Sequence, residues 1–231
     1  MKLNEVIPWG RSFDEYQRMF ALSDEDLAGR ILGCGDGPAS FNSEATEKGH
    51  SVVSCDPLYS FSASEIEDRV QHCYDTVISQ VKENADAFVW NYFQDADDLG
   101  RHRLAAMRRF VEDYELGKQQ NRYVIGSLPS LPFQDGEFTL ALVSHLLFLY
   151  SEKFSTDEHI ASVIELLRVA EEVRIFPLLD LNRNWSAHVE SVQRHLEQAG
   201  FDVSINPVGY EFQKAVDHLG NRMMRIKRRD V

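Results

Sequence analysis

Arg30-Ile31-Leu32-Gly33-Cys34-Gly35-Asp36-Gly37-Pro38-Ala39-Ser40 is the stretch on which the reading of this 231-residue chain turns. A short apolar run enters a turn with glycine at alternate positions. A helical segment, 40–48, follows and is closed by Gly49. Glycine tolerates positive φ and lets a ligand approach the backbone, and a helix start offers N–H groups without intrahelical partners. Gly just past a helix end is the expected C′ residue. Ser51-Val52-Val53-Ser54-Cys55 then reads as a second strand that ends at Asp56-Pro57, nineteen residues after Gly37. An acid at the end of strand two is placed to accept both ribose hydroxyls of a nucleotide-like cofactor. The competing reading is a structural turn and a strand-end cap. Motif and strand context agree on the cofactor.

Outward from this stretch, strands and helices alternate. From 62 to 117 the pattern is helical, with Ile66, Val70, Cys73, Val77 and Val81 on one stripe and Leu104, Met107, Val111 and Tyr114 on another. Between them, ADAFVWNYF (85–93) reads as a short helix. Strands are predicted at 123–125 and 138–143, the second after the turn Gln134-Asp135-Gly136. A capping box, Ser155 with Glu158, opens a helix with Ile160, Val163, Ile164 and Leu167 on its buried face. A strand at 173–178, a helix at 186–199 closed by Gly200, and strands at 201–206 and 223–227 complete the chain. Helices alternating with short, apolar strands imply an α/β fold whose mostly parallel sheet is covered on both faces. Ligands of such sheets bind beyond the carboxyl ends of the strands.

Composition narrows the function classes. Lys and Arg number 24 against 37 Asp and Glu, a formal net charge of −13. A nucleic-acid backbone or an anionic membrane would repel such a chain. The basic residues Arg222, Arg225, Lys227, Arg228 and Arg229 read as a solvated last strand and tail. Cys34, Cys55 and Cys73 form neither a disulfide framework nor a zinc knuckle. The first twenty residues contain no apolar leader segment, and the most apolar stretch, 140–150, is far short of the ~20 residues of a membrane span. The expectation is a cytoplasmic protein of one domain, 1–231, with no metal motif.

Gly33-Cys34-Gly35-Asp36-Gly37-Pro38-Ala39-Ser40-Phe41 resembles motif I of the class I S-adenosylmethionine-dependent methyltransferases. SVVSCDP resembles their second strand and its ribose-binding acid. The 126–138 segment, GSLPSLPFQDGEF, resembles the stretch that packs on the adenine and leads into strand four. Ser144-His145-Leu146-Leu147-Phe148-Leu149-Tyr150 fits the stretch after that strand, and Gly200-Phe201 with two strands resembles the antiparallel end of their sheet. LPSLPF, SHLLFLYS and RIFPLLDL resemble a group of bacterial methyltransferase-like proteins without an assigned substrate. The likeness covers about 30–58 and 122–227. It implies a Rossmann-like, mostly parallel seven-stranded sheet with an antiparallel last strand, and a helical insertion, 62–117, between strands two and three.

The resemblance also implies a cofactor and its contacts. S-adenosylmethionine would meet Gly33, Cys34 and Gly35 at the turn, Asp56 and Pro57 at the ribose, Ser127 and Leu128 at the adenine, and Ser144 after strand four. Arg11 and Tyr16, from the region that often folds over the cofactor in this family, would meet the methionine end. Three departures stand out: the usual motif I acid falls on Gly33 and the third glycine on Ala39, Ser127 replaces the adenine-side acid, and Thr139 replaces a common Asp. Asp36 is near in sequence but on this reading points elsewhere. The implied reaction is in-line methyl transfer to a small-molecule acceptor, with His145 as a candidate general base. A packed histidine is the competing reading. A non-catalytic S-adenosylmethionine- or S-adenosylhomocysteine-binding regulator on the same fold is the alternative function. A nicotinamide enzyme fits less well, since GxGxxG is not matched. The 62–117 insertion, with Trp90, Tyr92 and Phe93 between its helices, reads either as a lid over the site or as the arm of a homodimer.

Overall fold

The computed structural model describes residues 8–216 and 220–229. The first seven residues, part of the segment read for a leader, lie outside them. Two helices, α1 (Phe13–Phe20) and α2 (Asp24–Ala28), precede β1 (Arg30–Cys34), α3 (Phe41–Glu47) and β2 (Ser51–Cys55). The helices α4 (Ala63–Glu83) and α5 (Ala96–Gln119) lead to β3 (Tyr123–Val124) and β4 (Phe138–Ser144). The chain continues through α6 (Thr156–Val169), β5 (Ala170–Phe176), α7 (Val189–Gln198), β6 (Phe201–Pro207) and β7 (Arg222–Arg228). The seven strands form one sheet in the order β3-β2-β1-β4-β5-β7-β6. Pairing is parallel from β3 to β5, and β7 runs antiparallel between β5 and β6. The expected fold class is what the chain adopts. Since β1 pairs with β2 on one side and β4 on the other, the connections leave in opposite directions there and open a crevice at their carboxyl ends.

Each face of the sheet has its own apolar core. One gathers Val163, Leu166 and Leu167 of α6 and Val189, Val192 and Leu196 of α7. The other gathers Tyr16, Met19 and Phe20 of α1 with Phe41 of α3 and Val77 and Val81 of α4. Burying each such side chain stabilises the fold by roughly 1.5–3 kcal/mol. The capping box at Ser155 is complete, and the same reciprocal bonds open α1 at Ser12, α2 at Ser23 and α4 at Ser62.

Several expectations need correction, beginning with Ile164, predicted on the buried face of α6 but exposed. The 85–93 segment is a single tight turn, 85–87, followed by irregular backbone whose Phe88 bridges to Gln213. The buried face of α5 carries Leu99, Arg103, Met107, Phe110 and Tyr114, so the predicted stripe is rotated and includes a charge. The fifth strand begins at Ala170, directly after α6, and ends at Phe176 before Pro177, which has no N–H to give. Glu172, outside the predicted strand, is buried in β5 and ion-paired to Arg174, Arg225 and Lys227. Those last two partners correct the reading of the basic C-terminal strand as merely solvated.

Candidate functional site

A cavity of about 420 Å³ opens at the carboxyl ends of β1, β2 and β4, beside the switch point. Arg11, Tyr16, Cys34, Gly35, Asp56, Pro57, Ser127, Leu128, Ser144 and His145 all border it. Residues scattered over more than 130 positions therefore meet in one place. Gly33 does not border the cavity. It sits inside the β1 ladder, opposite Ser54 and Leu142.

Gly33 instead makes room. A Cβ there would lie 1.9 Å from Oδ2 of Asp36, so the Asp36 carboxylate occupies the volume that a side chain at 33 would need. Asp36 thus lies beside the position it was expected to point away from. It is buried, lines the cavity, and accepts hydrogen bonds from the hydroxyls of Tyr16 (2.7 Å) and Ser54 (2.6 Å). Burial pushes its pKa up to about 6, against the pull of the Ser54 and Tyr16 hydroxyls and with some help from the Asp56 charge. Gly35 has a φ of +71°, and a Cβ there would meet the Leu146 side chain at 2.5 Å. Only glycine fits this close approach of the turn to the segment after β4.

Asp56 closes the other side of the turn. One oxygen accepts from the Gly37 N–H and the other from the Leu58 N–H, both at 2.8 Å. A carboxylate offers about four lone-pair sites, so two remain for a ligand. Burial raises its pKa, and these two backbone donors lower it in part.

Beyond β4, His145 adopts a left-handed backbone, φ +53°, uncommon outside glycine and typical of constrained sites. Its N–H donates to the Phe176 carbonyl at 2.7 Å, and Nδ1 lies 3.0 Å from Oγ of Ser144. Burial, then the charges of Arg11 and Arg103, hold its pKa well below the usual histidine range. The imidazole is therefore neutral at physiological pH. Arg11 is half-buried, and burial and then Arg103 lower its pKa. Among the described residues its guanidinium makes one hydrogen bond, to the Trp9 carbonyl at 3.0 Å, and no ion pair.

The insertion contributes to the wall through α4: Arg69 lies over the Phe61 ring at 4.0 Å, and both residues border the cavity. The aromatic trio between α4 and α5 does not. Phe93 packs on Phe212, Tyr92 on Tyr210, and the Trp90 indole donates to the Ala85 carbonyl. Asp36, Phe61 and Arg69 are cavity residues that sequence reasoning missed. For Asp36 the available signal was the pairing of a missing side chain at 33 with an acid three residues on.

No protein-family profile matches the chain. The uncharacterized protein MJ0045 of Methanocaldococcus jannaschii is 31% identical over 229 residues, 99% of both chains. The crystal structure of the PH0226 protein from Pyrococcus horikoshii aligns over 94% of this chain and 89% of its own, with a TM-score of 0.50 at 11% identity. Magnesium protoporphyrin IX methyltransferase from Synechocystis, solved with bound S-adenosylmethionine, aligns over 94% and 91%, with a TM-score of 0.44 at 11% identity. At such identities solved structures speak to the fold alone, a Rossmann-like, mostly parallel seven-stranded sheet.

Proposed function

The chain belongs to the family of the uncharacterized Methanocaldococcus jannaschii protein MJ0045, and we propose that it binds S-adenosylmethionine and methylates a small-molecule acceptor. One observation carries this reading: two carboxylates, the buried Asp36 and the half-buried Asp56, flank a glycine turn in a single cavity at the sheet's switch point. The residues present fit the cofactor. The close approach at Gly35 and the space ceded by Gly33 form a cradle that side chains would fill.

When bound, S-adenosylmethionine supplies a sulfonium-activated methyl group for in-line displacement by a nucleophile. The chain's own work is alignment and exclusion of water. Asp56 accepts the ribose hydroxyls through its two remaining lone-pair sites. Asp36, held by Tyr16 and Ser54, faces the cationic methionine end and takes the part that an acid at 33 would otherwise play. Arg11 meets the carboxylate. Cys34 and Gly35 give the backbone surface of the turn, and Pro57, Ser127 and Leu128 bracket the adenine. Ser144 and His145 stand at the acceptor end. A neutral His145 accepts a hydrogen bond from an incoming hydroxyl, thiol or amine and orients it. Its low pKa makes it a positioning group before a strong base.

The test of the ribose contact is Asp56→Ala. Each charge-assisted hydrogen bond is worth about 1.5–3 kcal/mol, so S-adenosylhomocysteine affinity should fall at least ~10-fold. Unchanged affinity in a variant with native circular dichroism would refute the assignment.

A further inference from the structure

Next to the proposed cofactor cavity lies a second chamber of about 90 Å³, and Trp9, Arg11 and His145 border both. The insertion, the 208–216 loop, and Leu149, Tyr150 and Leu181 supply its remaining wall. Val81, Leu99 and Phe212 make it apolar, and Arg103 and Gln213 add polar heads. Two features set it apart. Six buried side-chain nitrogen or oxygen atoms among the described residues have no hydrogen-bond partner, and three belong to this wall: Nε of Arg11, Nε of Arg103 and Oε1 of Gln213. Moreover, no aspartate or glutamate lines the chamber, although acidic residues outnumber basic ones 37 to 24 in the chain.

The charges of the two guanidiniums are not balanced equally. Arg103 is neutralised by Glu15 through two hydrogen bonds, of 2.5 and 2.7 Å. Arg11 has no such partner, and four of its five N–H donors are without a protein acceptor. Arg11 is half-buried, its Nε is shut off from water without an acceptor, and no counter-charge faces it, so the site favours an anion arriving with its own apolar body. Arg11 borders both cavities, and its planar fork has more than one edge to offer.

Resting on the cofactor reading above, we propose that this chamber is the acceptor subsite and that it takes a small organic acid: a compact apolar group carrying one carboxylate, which Arg11 meets. The reactive atom of such a molecule would then lie toward His145, at the boundary of the two cavities.

Equilibrium binding of isobutyrate and benzoate, each against its neutral amide, tests this by ligand-observed NMR. Measurements are made on the full chain, with and without S-adenosylhomocysteine. The expected result is at least ~10-fold preference for the acid over the amide, retained when S-adenosylhomocysteine saturates the protein. Arg11→Gln should erase that preference. Val81→Phe and Phe212→Trp fill the chamber from two different elements and touch neither carboxylate of the cofactor cavity. Each should abolish acid binding while leaving S-adenosylhomocysteine affinity within about twofold. Acids that bind no better than amides, or that still bind a folded filled variant, overturn the proposal. Acids displaced by S-adenosylhomocysteine occupy the cofactor's side of Arg11, which overturns it too. Failure of S-adenosylhomocysteine itself to bind the unaltered protein would strike the cofactor reading and not the acid preference, so the two failures are distinguishable.

Discussion

Asp36→Asn is expected to stabilise the ligand-free protein and to cripple cofactor binding at once. Burial is the main reason that the Asp36 carboxyl titrates near 6 instead of its ordinary 3.8. The native state therefore holds the proton more tightly than the unfolded chain does. The sign follows from linkage: between about pH 4 and 6 the folded protein binds more protons, so stability falls as pH rises through that window. Above about 6 the full penalty stands. A shift of this size corresponds to ~3 kcal/mol as an order of magnitude. Asparagine removes the charge but weakens what Tyr16 and Ser54 donate to, so a net gain on the order of 1 kcal/mol is expected, or ~2–4 °C in Tm at neutral pH. Cofactor affinity should drop by ten- to a hundredfold, roughly the 1.5–3 kcal/mol of a charge-assisted contact. A site whose functional group works against the stability of the free protein is a familiar trade. Thermal melts at pH 7.5 and calorimetric titration check both halves. A variant that melts lower and binds as well as the parent would show Asp36 to be a structural acid.

Arg103→Met should produce the largest loss of stability. Arg103 of α5 is among the largest fully buried side chains, and its Nη1 and Nη2 donate to the two carboxylate oxygens of Glu15 on α1. The Tyr210 hydroxyl donates to Glu15 as well, at 2.9 Å. Burial alone would lower the Arg103 pKa, but the adjacent Glu15 charge turns the net direction upward. Glu15 mirrors it: burial raises, Arg103 outweighs, and the net direction is down. Breaking one side of such a pair leaves a buried charge alone and costs roughly 3–5 kcal/mol. In a chain of this size that is a fall on the order of 10 °C in Tm. The double variant Glu15→Leu with Arg103→Met should recover part of the loss, because an apolar pair removes both desolvation penalties. A single variant within about 1 °C of the parent would mean that the pair contributes almost nothing. The same bond ties the insertion to the N-terminal segment, whose Gly10 packs so closely on Pro38 that a Cβ would lie 2.0 Å from its carbonyl oxygen. Arg103→Met is therefore also expected to loosen the 8–12 stretch over the glycine turn, which hydrogen exchange would register as faster exchange there.

The parts of this molecule legible in its sequence are those fixed locally. The glycine turn, the second strand with Asp56 at its end, the capping box at Ser155 and the glycines closing two helices are read from neighbours within a few positions. The mostly parallel sheet follows from alternation of elements, and its seven strands with an antiparallel end from the resemblance. What was not legible depends on distant partners. Arg103 interrupts an apolar stripe, and only Glu15, 88 residues away, makes its burial tolerable. Glu172 falls just outside the predicted strand 173–178, because two of its three cationic partners lie on a strand formed more than fifty residues later. Asp36 was set aside for a related reason. Its position depends on an absence, the side chain that Gly33 lacks, and on Tyr16 and Ser54 from two other elements. The aromatic trio of 90–93 reads from sequence as part of either a lid or a dimer arm, but its rings pack on Tyr210 and Phe212, partners more than a hundred residues away.

Calorimetric titration of the full chain with S-adenosylhomocysteine at pH 7.5 and at pH 5 is the most direct measurement of whether this cavity is a cofactor site. Saturable binding of one ligand per chain at pH 7.5, weakening about tenfold at pH 5 as Asp36 takes up its proton, is the predicted result. Absence of heat at millimolar ligand, together with no thermal shift, would contradict it.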